Sequence, residues 1–187
     1  MNSLNKIRII IDELFKTSPN VVIAIDGNSC SGKTTLANQL KKIYNCNVIH
    51  MDDYFLPLNK RTRERLLMPG GNINFEKFYD DIIKNLGKDL VLEAFDCKTK
   101  SFKDKQIISH NKLTIVEGSY SLHPYFGKYY NFSICLHIDP IIQLNRLKVR
   151  ENINIDNFIN KWIPLENKYF DYYNIFKNCD LLININK

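Results

Sequence analysis

The sequence predicts an α/β fold of three layers, with helices on both faces of a mostly parallel sheet of about five strands and a small β insertion. Short apolar runs alternate with segments of helical periodicity along most of the chain. The first run, residues 21–25, is rich in β-branched residues, as in a strand that is buried on both faces. A glycine-rich loop follows this run and leads directly into a helical pattern.

The order of the elements follows from the same patterns. Residues 4–15 have the apolar spacing of an amphipathic helix. Asp139 and Pro140 are typical of an N-cap and a first helical position, so a helix is expected at 140–151. The other helices are expected at 33–44, 75–86 and 158–173, and the strands of the sheet at 21–25, 47–51, 113–116, 132–138 and 180–185.

Two segments interrupt this alternation. Residues 52–71 show no clear periodicity, and a long segment of this kind inside a domain is often functional. Residues 90–95 and 102–109 are predicted strands, which together form the β insertion at about residues 89–110. No interdomain linker is evident, so residues 1–187 are expected to form a single domain.

Composition excludes several classes of protein. Apolar runs are far shorter than the roughly 20 residues of a membrane span, and the N-terminal residues do not resemble a signal peptide. Five cysteines without a CxxC pair favour reduced thiols over zinc or disulfides, so we expect a cytoplasmic protein without a membrane partner. The net charge of +6 is spread along the chain, and we expect no nucleic-acid partner. These features leave the oligomeric state open.

The sequence of residues 27–34, GNSCSGKT, matches the motif GxxxxGK[ST] between a predicted strand and a predicted helix. Its glycines allow the backbone to wrap a phosphate chain, and its N–H groups bind anionic oxygens. Lys33 is expected to reach the β- and γ-phosphates, and Thr34 to ligate Mg²⁺. A chance glycine-rich turn is the alternative, which the flanking strand and helix disfavour. The sequence thus predicts a P-loop NTPase fold that binds ATP and Mg²⁺, with a nucleotide site formed by Gly27, Asn28, Ser29, Cys30, Ser31, Gly32, Lys33, Thr34 and Thr35. The chain lacks the base-reading motif of a GTPase, which leaves small kinases and ATPase switches.

Three carboxylates are predicted at the carboxyl ends of strands, where open α/β sheets bind their ligands. Either Asp52 or Asp53 could accept the proton of an attacking hydroxyl or help to hold a metal. Glu117 could hold the hydration shell of Mg²⁺. The alternatives are a helix cap and a solvated side chain for the aspartates, and a turn residue for Glu117.

Arg146 and Arg150 lie four residues apart and therefore on one face of a predicted helix. This spacing suits a short lid, at about residues 146–156, that brings guanidinium groups onto a transferring phosphate. A solvated basic face is the alternative.

The order and spacing of these motifs resemble the uridine kinase-like P-loop kinases, a group that includes pantothenate kinase and phosphoribulokinase. The matching segments, between about residues 21 and 183, are GNSCSGKTT, MDDYF, GGNINFEKF, FDCKT, VEG and DPIIQLNRLKVRE. The resemblance implies two sets of residues beside the nucleotide: catalytic Asp52, Lys33, Arg146 and Arg150, and metal-side Thr34, Asp52 and Glu117.

The resemblance also implies an acceptor site under the β insertion, formed by Asp53, Tyr54, Glu76, Phe95, Asp96 and Lys100. Three positions depart from the family pattern, because Glu76 replaces the usual aspartate, Phe95 a tyrosine and Lys100 a histidine. The lid also lacks an arginine that the family has beyond Arg150.

The activity that this resemblance implies is transfer of the γ-phosphoryl group of ATP to a small-molecule hydroxyl. The expected acceptor is the 5′-hydroxyl of a nucleoside such as uridine or cytidine, and the alternatives are pantothenate, nicotinamide riboside and a sugar phosphate. A nucleotide-binding regulator without kinase activity is the alternative from another class. Trp162, Tyr169 and Phe170 are expected to pack the last helix against the core.

Overall fold

Strands and helices alternate along the chain, as the apolar pattern predicts. A computed structural model describes residues 3–96, 99–151 and 153–186. The strands are β1 (Val21–Gly27), β2 (Asn47–His50), β3 (Leu90–Leu92), β4 (Phe95–Asp96), β5 (Ser101–Phe102), β6 (Gln106–Ile108), β7 (Leu113–Glu117), β8 (Phe132–Ile138) and β9 (Leu181–Ile185). The helices are α1 (Ser3–Thr17), α2 (Lys33–Tyr44), α3 (Arg63–Leu67), α4 (Phe75–Asp81), α5 (Pro140–Lys148), α6 (Ile155–Asn157), α7 (Ile163–Tyr172) and α8 (Ile175–Asn178). Short 3₁₀ turns occur at Met51–Tyr54, Leu58–Lys60, Ile83–Asn85 and Pro124–Phe126, and a π-helical turn occurs at Phe158–Trp162.

The central sheet has five strands in the order β2-β7-β1-β8-β9. Every pairing within it is parallel, which confirms the prediction of a mostly parallel sheet of five strands. Glu117 lies opposite both Ile25 of β1 and His50 of β2. The carboxyl ends of these three strands therefore lie side by side at one edge of the sheet, where ligands of such folds bind.

Helices cover both faces of the sheet and give the three layers that the sequence predicts. On one face, Ile7 of α1 and Leu40 of α2 pack with Ile23 and Ile25 of β1. On the other face, a second cluster joins Val22 to Phe78 of α4 and to side chains of α7 and α8. Neighbouring strand residues thus point to opposite faces, and the sheet is buried on both sides.

The segment between the 3₁₀ turn Ile83–Asn85 and β7 forms two short antiparallel strand pairs instead of two long strands. β3 pairs with β6, and β4 pairs with β5. The predicted strands at 90–95 and 102–109 are each broken into two shorter strands. Two residues of the FDCKT segment, Cys97 and Lys98, and one residue of the predicted lid, Asn152, lie outside the described residues.

The ends of several helices follow from local sequence. The Asp139 carboxylate accepts hydrogen bonds from the N–H groups of Ile141 (2.8 Å) and Ile142 (3.3 Å), which confirms the predicted N-cap of α5. Pro164 lies in the first turn of α7, where its missing N–H is tolerated. The predicted helix at 75–86 ends earlier, at Asp81, and a 3₁₀ turn follows it. Among the described residues, no helix has the length and apolar character needed to cross a membrane.

Candidate active site

A cavity of about 680 Å³ opens at the carboxyl edge of the sheet. Six of the predicted nucleotide-site residues line it: Ser29, Cys30, Gly32, Lys33, Thr34 and Thr35. Gly27, Asn28 and Ser31 are buried and do not line the cavity. Asp52, Glu117, Arg146 and Arg150 line it as well, so the predicted catalytic and metal-side residues meet at one place.

The glycine-rich loop depends on Gly27 for its path. Gly27 has a φ of 143°, and a Cβ atom there would lie 2.2 Å from the carbonyl oxygen of Leu136. Any other residue would therefore clash with β8. The loop ends at the N-terminus of α2, where unpaired backbone N–H groups favour an anion.

The Lys33 ammonium is held inside this loop. Its Nζ donates hydrogen bonds to the carbonyl oxygens of Gly27 and Asn28, both at 2.8 Å, and to the hydroxyl of Ser119 at 3.3 Å. A lysine in this position presents its positive charge to the cavity that it lines. Such a charge attracts phosphate oxygens.

The two arginines of α5 and its C-terminal end lie over the loop. Arg146 Nη1 donates to the carbonyl oxygen of Cys30 at 3.1 Å, and Arg150 Nη1 lies 4.0 Å from the Cys30 Sγ. Cys30 itself has a φ of 60°, the left-handed region. Both arginines line the cavity. Only Arg146 does so from the helix, because α5 ends at Lys148 and Arg150 lies beyond it.

Three polar side chains, Thr34, Glu117 and His50, come together where the ends of β2, β7 and the loop meet. The Thr34 hydroxyl donates to Glu117 Oε1 at 3.0 Å, and His50 Nδ1 lies 2.5 Å from the same oxygen. This hydrogen bond with Glu117 raises the pKa of His50. Hydroxyl and carboxylate oxygens are suitable ligands for Mg²⁺, which commonly takes one or two carboxylates and completes its shell with phosphates and water. No cluster of three or more His, Cys, Asp or Glu with metal-ligand geometry occurs among residues 3–96, 99–151 and 153–186.

Asp52 occupies the cavity wall beside this group. Its side chain is exposed, and the surface that it exposes faces the cavity. The surrounding protein limits its hydration, which raises the pKa of the Asp52 carboxyl, and the nearby Lys33 charge opposes that rise. A carboxylate with a raised pKa is a better proton acceptor than an ordinary aspartate.

Sequence reasoning missed a buried carboxylate on α7. Glu166 is 7% exposed, and its Oε2 accepts a hydrogen bond from the Ser29 N–H at 2.9 Å. Its Oε1 accepts one from the Ser119 hydroxyl at 3.0 Å, and Ser119 in turn contacts Lys33. Burial raises the pKa of Glu166, and the Lys33 charge opposes this. The only feature of the sequence that could have indicated Glu166 is its spacing of four residues from Trp162.

Asp26, at the end of β1, was also missed, and its partners indicate a structural role. Its carboxylate accepts hydrogen bonds from the N–H groups of Gly27 (2.7 Å), Tyr120 (3.1 Å) and Leu122 (2.9 Å), and from the Tyr169 hydroxyl (2.7 Å). Burial raises its pKa, and these donors oppose the rise. Asp26 thereby ties β1 to the turn after β7 and to α7.

The residues predicted for the acceptor are not brought to the cavity. Glu76 forms an ion pair with Arg65, with oxygen–nitrogen distances of 2.7 and 2.8 Å. Tyr54 is buried, and its hydroxyl donates to Asp81 at 3.3 Å. The other predicted positions, Asp53, Phe95, Asp96 and Lys100, do not line the cavity either. The role of these residues in acceptor binding stays a prediction from the resemblance.

Aromatic side chains form part of the cavity wall instead. Phe55, Phe158 and Trp162 all line it, and the rings of Phe55 and Trp162 have centroids 5.9 Å apart at an angle of 45°. Trp162 was expected to pack the predicted helix 158–173 against the core, and it lines the cavity instead. Tyr169 and Phe170 are buried in the core, as expected.

Solved structures with the same arrangement of elements identify the fold. The structure of "a Possible Uridine Kinase" from Bacillus stearothermophilus is 25% identical, covers 95% of this chain and 99% of that chain, and superposes with a TM-score of 0.69. The chain has the fold of the uridine kinase-like P-loop kinases. A D-glycerate 3-kinase from Cryptococcus neoformans shares this kinase fold, with 13% identity, coverage of 98% and 96%, and a TM-score of 0.64.

A curated relative belongs to the same group of P-loop kinases. Human nicotinamide riboside kinase 1 is 29% identical over 104 residues, which are 52% of this chain and 48% of that protein. The match thus spans about half the length of this relative. No protein-family model matches the chain. Together these similarities support a phosphotransferase with a P-loop kinase fold.

Proposed function

We propose that the chain transfers the γ-phosphoryl group of ATP to a hydroxyl of a small molecule. The observation that carries this proposal is the meeting of Lys33, Thr34, Asp52 and Glu117 at one cavity, from three different parts of the chain. A nucleotide-binding regulator needs the lysine and the threonine. It does not need a carboxylate such as Asp52, exposed to the cavity and with a raised pKa.

In the proposed reaction, the oxygen of the acceptor hydroxyl bonds to the γ-phosphorus as the bond from that phosphorus to the bridging oxygen of ADP breaks. Asp52 orients the hydroxyl and takes its proton. Lys33, Arg146 and Arg150 balance the negative charge that develops on the transferring group.

Thr34, Asp52 and Glu117 would hold Mg²⁺, directly or through water. Their oxygens fit this ion, as described above. When bound, Mg²⁺ supplies positive charge that neutralises the phosphates.

A nucleoside is the proposed acceptor, and its 5′-hydroxyl the proposed nucleophile. The support comes from two similar proteins whose names refer to nucleosides. They are the possible uridine kinase from Bacillus stearothermophilus and nicotinamide riboside kinase 1. Uridine, cytidine and nicotinamide riboside are therefore the first acceptors to test. Pantothenate and sugar phosphates belong in the same panel.

The experiment measures the ADP formed from ATP in the presence of Mg²⁺. A coupled assay follows it with and without each acceptor. We expect ADP release that depends on a nucleoside and stays at background with ATP alone. Asp52→Asn should abolish most of this dependence. ADP release that no acceptor stimulates would contradict the proposal and favour a regulator or a simple ATPase.

A further inference from the structure

We propose that the wall formed by Phe55, Phe158 and Trp162, with Asn72 beside it, is the acceptor subsite of this cavity. The inference rests on the proposed function and gives the acceptor a location and a chemical class. The lining of the cavity combines the phosphate-binding loop, Arg146 and Arg150 with Asp52 and the aromatic residues.

The position of Phe55 relative to Asp52 follows from the chain itself. Phe55 lies three residues after Asp52, directly after the 3₁₀ turn Met51–Tyr54. An antiparallel bridge between Phe55 and Ile73 fixes this segment. Phe55 and Asp52, the carboxylate that would receive the acceptor's proton, therefore line the cavity from one short segment.

Trp162 and Phe158 come from the π-helical turn that precedes α7. Phe158 and Trp162 lie four residues apart, and Glu166 lies four residues after Trp162. All three side chains line the cavity from one face of a continuous helical segment. Trp162 contacts Phe55 ring to ring, and this contact joins the two sides of the wall. A flat, apolar surface of this kind binds the face of a planar ring.

Asn72 adds a polar group to the same wall. It is 1% exposed, and neither polar atom of its side chain has a hydrogen-bond partner among the described residues. Burial raises the pKa of the Tyr120 hydroxyl, and the neighbouring Asn72 amide opposes that rise, yet the two groups do not meet the distance and angle requirements of a hydrogen bond. Buried amides are nearly always paired. The Asn72 amide, with one acceptor and two donor positions, is therefore available to a ligand.

The chemical class of the acceptor follows from the aromatic lining. Phe55, Phe158 and Trp162 provide three rings, and the other lining residues of this wall, Asn72 and Tyr120, carry no formal charge. Two cations lie close to the wall, because Lys161 Nζ and Arg61 Cζ are 5.0 Å and 5.9 Å from the centroid of the Trp162 ring. The rings fit an alcohol that carries a planar ring, such as a nucleoside.

Binding can be measured directly, because Trp162 is the only tryptophan in the chain. We expect uridine or another nucleoside, added with a non-hydrolysable ATP analogue and Mg²⁺, to change Trp162 emission in a saturable manner. Ribose, which lacks the base, serves as the matched control and should leave the emission unchanged. A response to the ATP analogue alone, with none to any nucleoside, would overturn the inference, because the wall would then hold adenine.

Kinetics of Trp162 variants supply the second measurement. Trp162→Leu should raise the acceptor KM about fivefold and leave the ATP KM within about twofold, whereas Trp162→Phe should retain most of the affinity, since one aromatic stacking contact contributes roughly 1 kcal/mol. Tyr172→Ala, which removes an exposed ring from α7, is the control for general effects on this helix. Loss of acceptor affinity in Phe95→Ala but not in Trp162→Leu would overturn the inference and favour a site under the β insertion.

The two proposals fail in different ways. If nucleosides are phosphorylated but neither Trp162 emission nor the acceptor KM of Trp162→Leu changes, the subsite is wrong and the kinase activity stands. If nucleosides change Trp162 emission but no acceptor stimulates ADP release, the subsite binds its ligand and the proposed activity is wrong.

Discussion

The Glu166 carboxylate accepts a hydrogen bond from the backbone N–H of Ser29 at 2.9 Å, across 137 residues of sequence. On the other side of Ser29, Gln143 Nε2 donates to the carbonyl oxygen and to the hydroxyl, both at 3.0 Å. Two helices that flank the predicted lid, α5 and α7, thus hold one residue of the phosphate-binding loop. The loop is positioned by buried side chains as well as by its own glycines.

Removing the Glu166 carboxylate should impair ATP binding. In Glu166→Ala, the Ser29 N–H and the Ser119 hydroxyl lose a buried acceptor, and we expect the ATP KM to rise about tenfold or more while the acceptor KM changes little. Steady-state kinetics with each substrate varied in turn measure this split. Glu166→Gln keeps one acceptor oxygen and should recover most of the affinity. Phe170→Ala, a core truncation on the same helix, controls for destabilisation; an equal rise of the ATP KM in that variant would refute a specific role for Glu166.

Lys33→Ala should remove most of the activity and leave the fold intact. The lysine contributes no core packing, and its contacts are to the loop and Ser119. We expect less than about a tenth of wild-type turnover, since phosphoryl transfer relies on positioned positive charge. Lys41→Ala, an exposed lysine of the same helix, is the matched control. Circular dichroism checks folding, and turnover close to that of the control would refute the phosphate role.

Asp52→Asn should lower kcat more than it weakens ATP binding. Asparagine keeps the shape but cannot take a proton, and a general base contributes about 10²- to 10⁴-fold. The pH dependence adds a second readout. Because the surrounding protein limits the hydration of the Asp52 carboxyl and raises its pKa, activity should fall as the pH drops through a value above that of an ordinary aspartate. This acid limb should disappear in the variant. An unchanged limb would assign the titration to another group.

Arg65→Ala should destabilise the segment that carries Asn72. The Arg65 side chain donates to the carbonyl oxygens of Gly71 (3.1 Å) and Ile73 (3.0 Å) and pairs with Glu76. Loss of these bonds should cost about 1–3 kcal/mol in urea unfolding, and Arg65→Lys should rescue little because lysine lacks the forked geometry. A midpoint equal to that of the wild type would show that the contacts contribute nothing.

The Arg65–Glu76 ion pair should also make the stability of the protein depend on pH. Partial burial would raise the pKa of Glu76, but the Arg65 hydrogen bonds outweigh it and lower the pKa. The pair therefore contributes stability above the usual glutamate pKa, and this contribution is lost as the pH falls through the lowered value. The difference in stability between wild type and Glu76→Gln should shrink in acid.

The sequence predicted the parts of the site that local pattern determines. The Lys33 and Thr34 positions follow from a continuous motif, and Asp52 and Glu117 follow strands whose ends meet in any parallel sheet of this kind. Arg146 follows from helical periodicity. Arg150 was expected on the same helix but lies two residues beyond its end at Lys148.

Glu166 and Trp162 could not be found in this way. Their helical segment contains apolar and polar residues on several faces, and a π-helical turn shifts the phase between Phe158–Trp162 and α7. Which face meets the loop depends on tertiary packing. The Arg65–Glu76 pair likewise diverts Glu76 from its expected position, and nothing in the spacing of these residues indicates an ion pair.

Trp162 and Glu166 stand about one helical turn apart, roughly 6 Å along the axis, and both line the cavity. If one contacts the acceptor and the other holds the phosphate-binding loop, the rise of a helix sets the separation between the two substrates. One residue added between them would rotate Trp162 about 100° away from the face that carries Glu166. Adaptation to a larger or smaller acceptor would then have to come from the irregular segment at residues 52–71, where an insertion leaves that spacing unchanged.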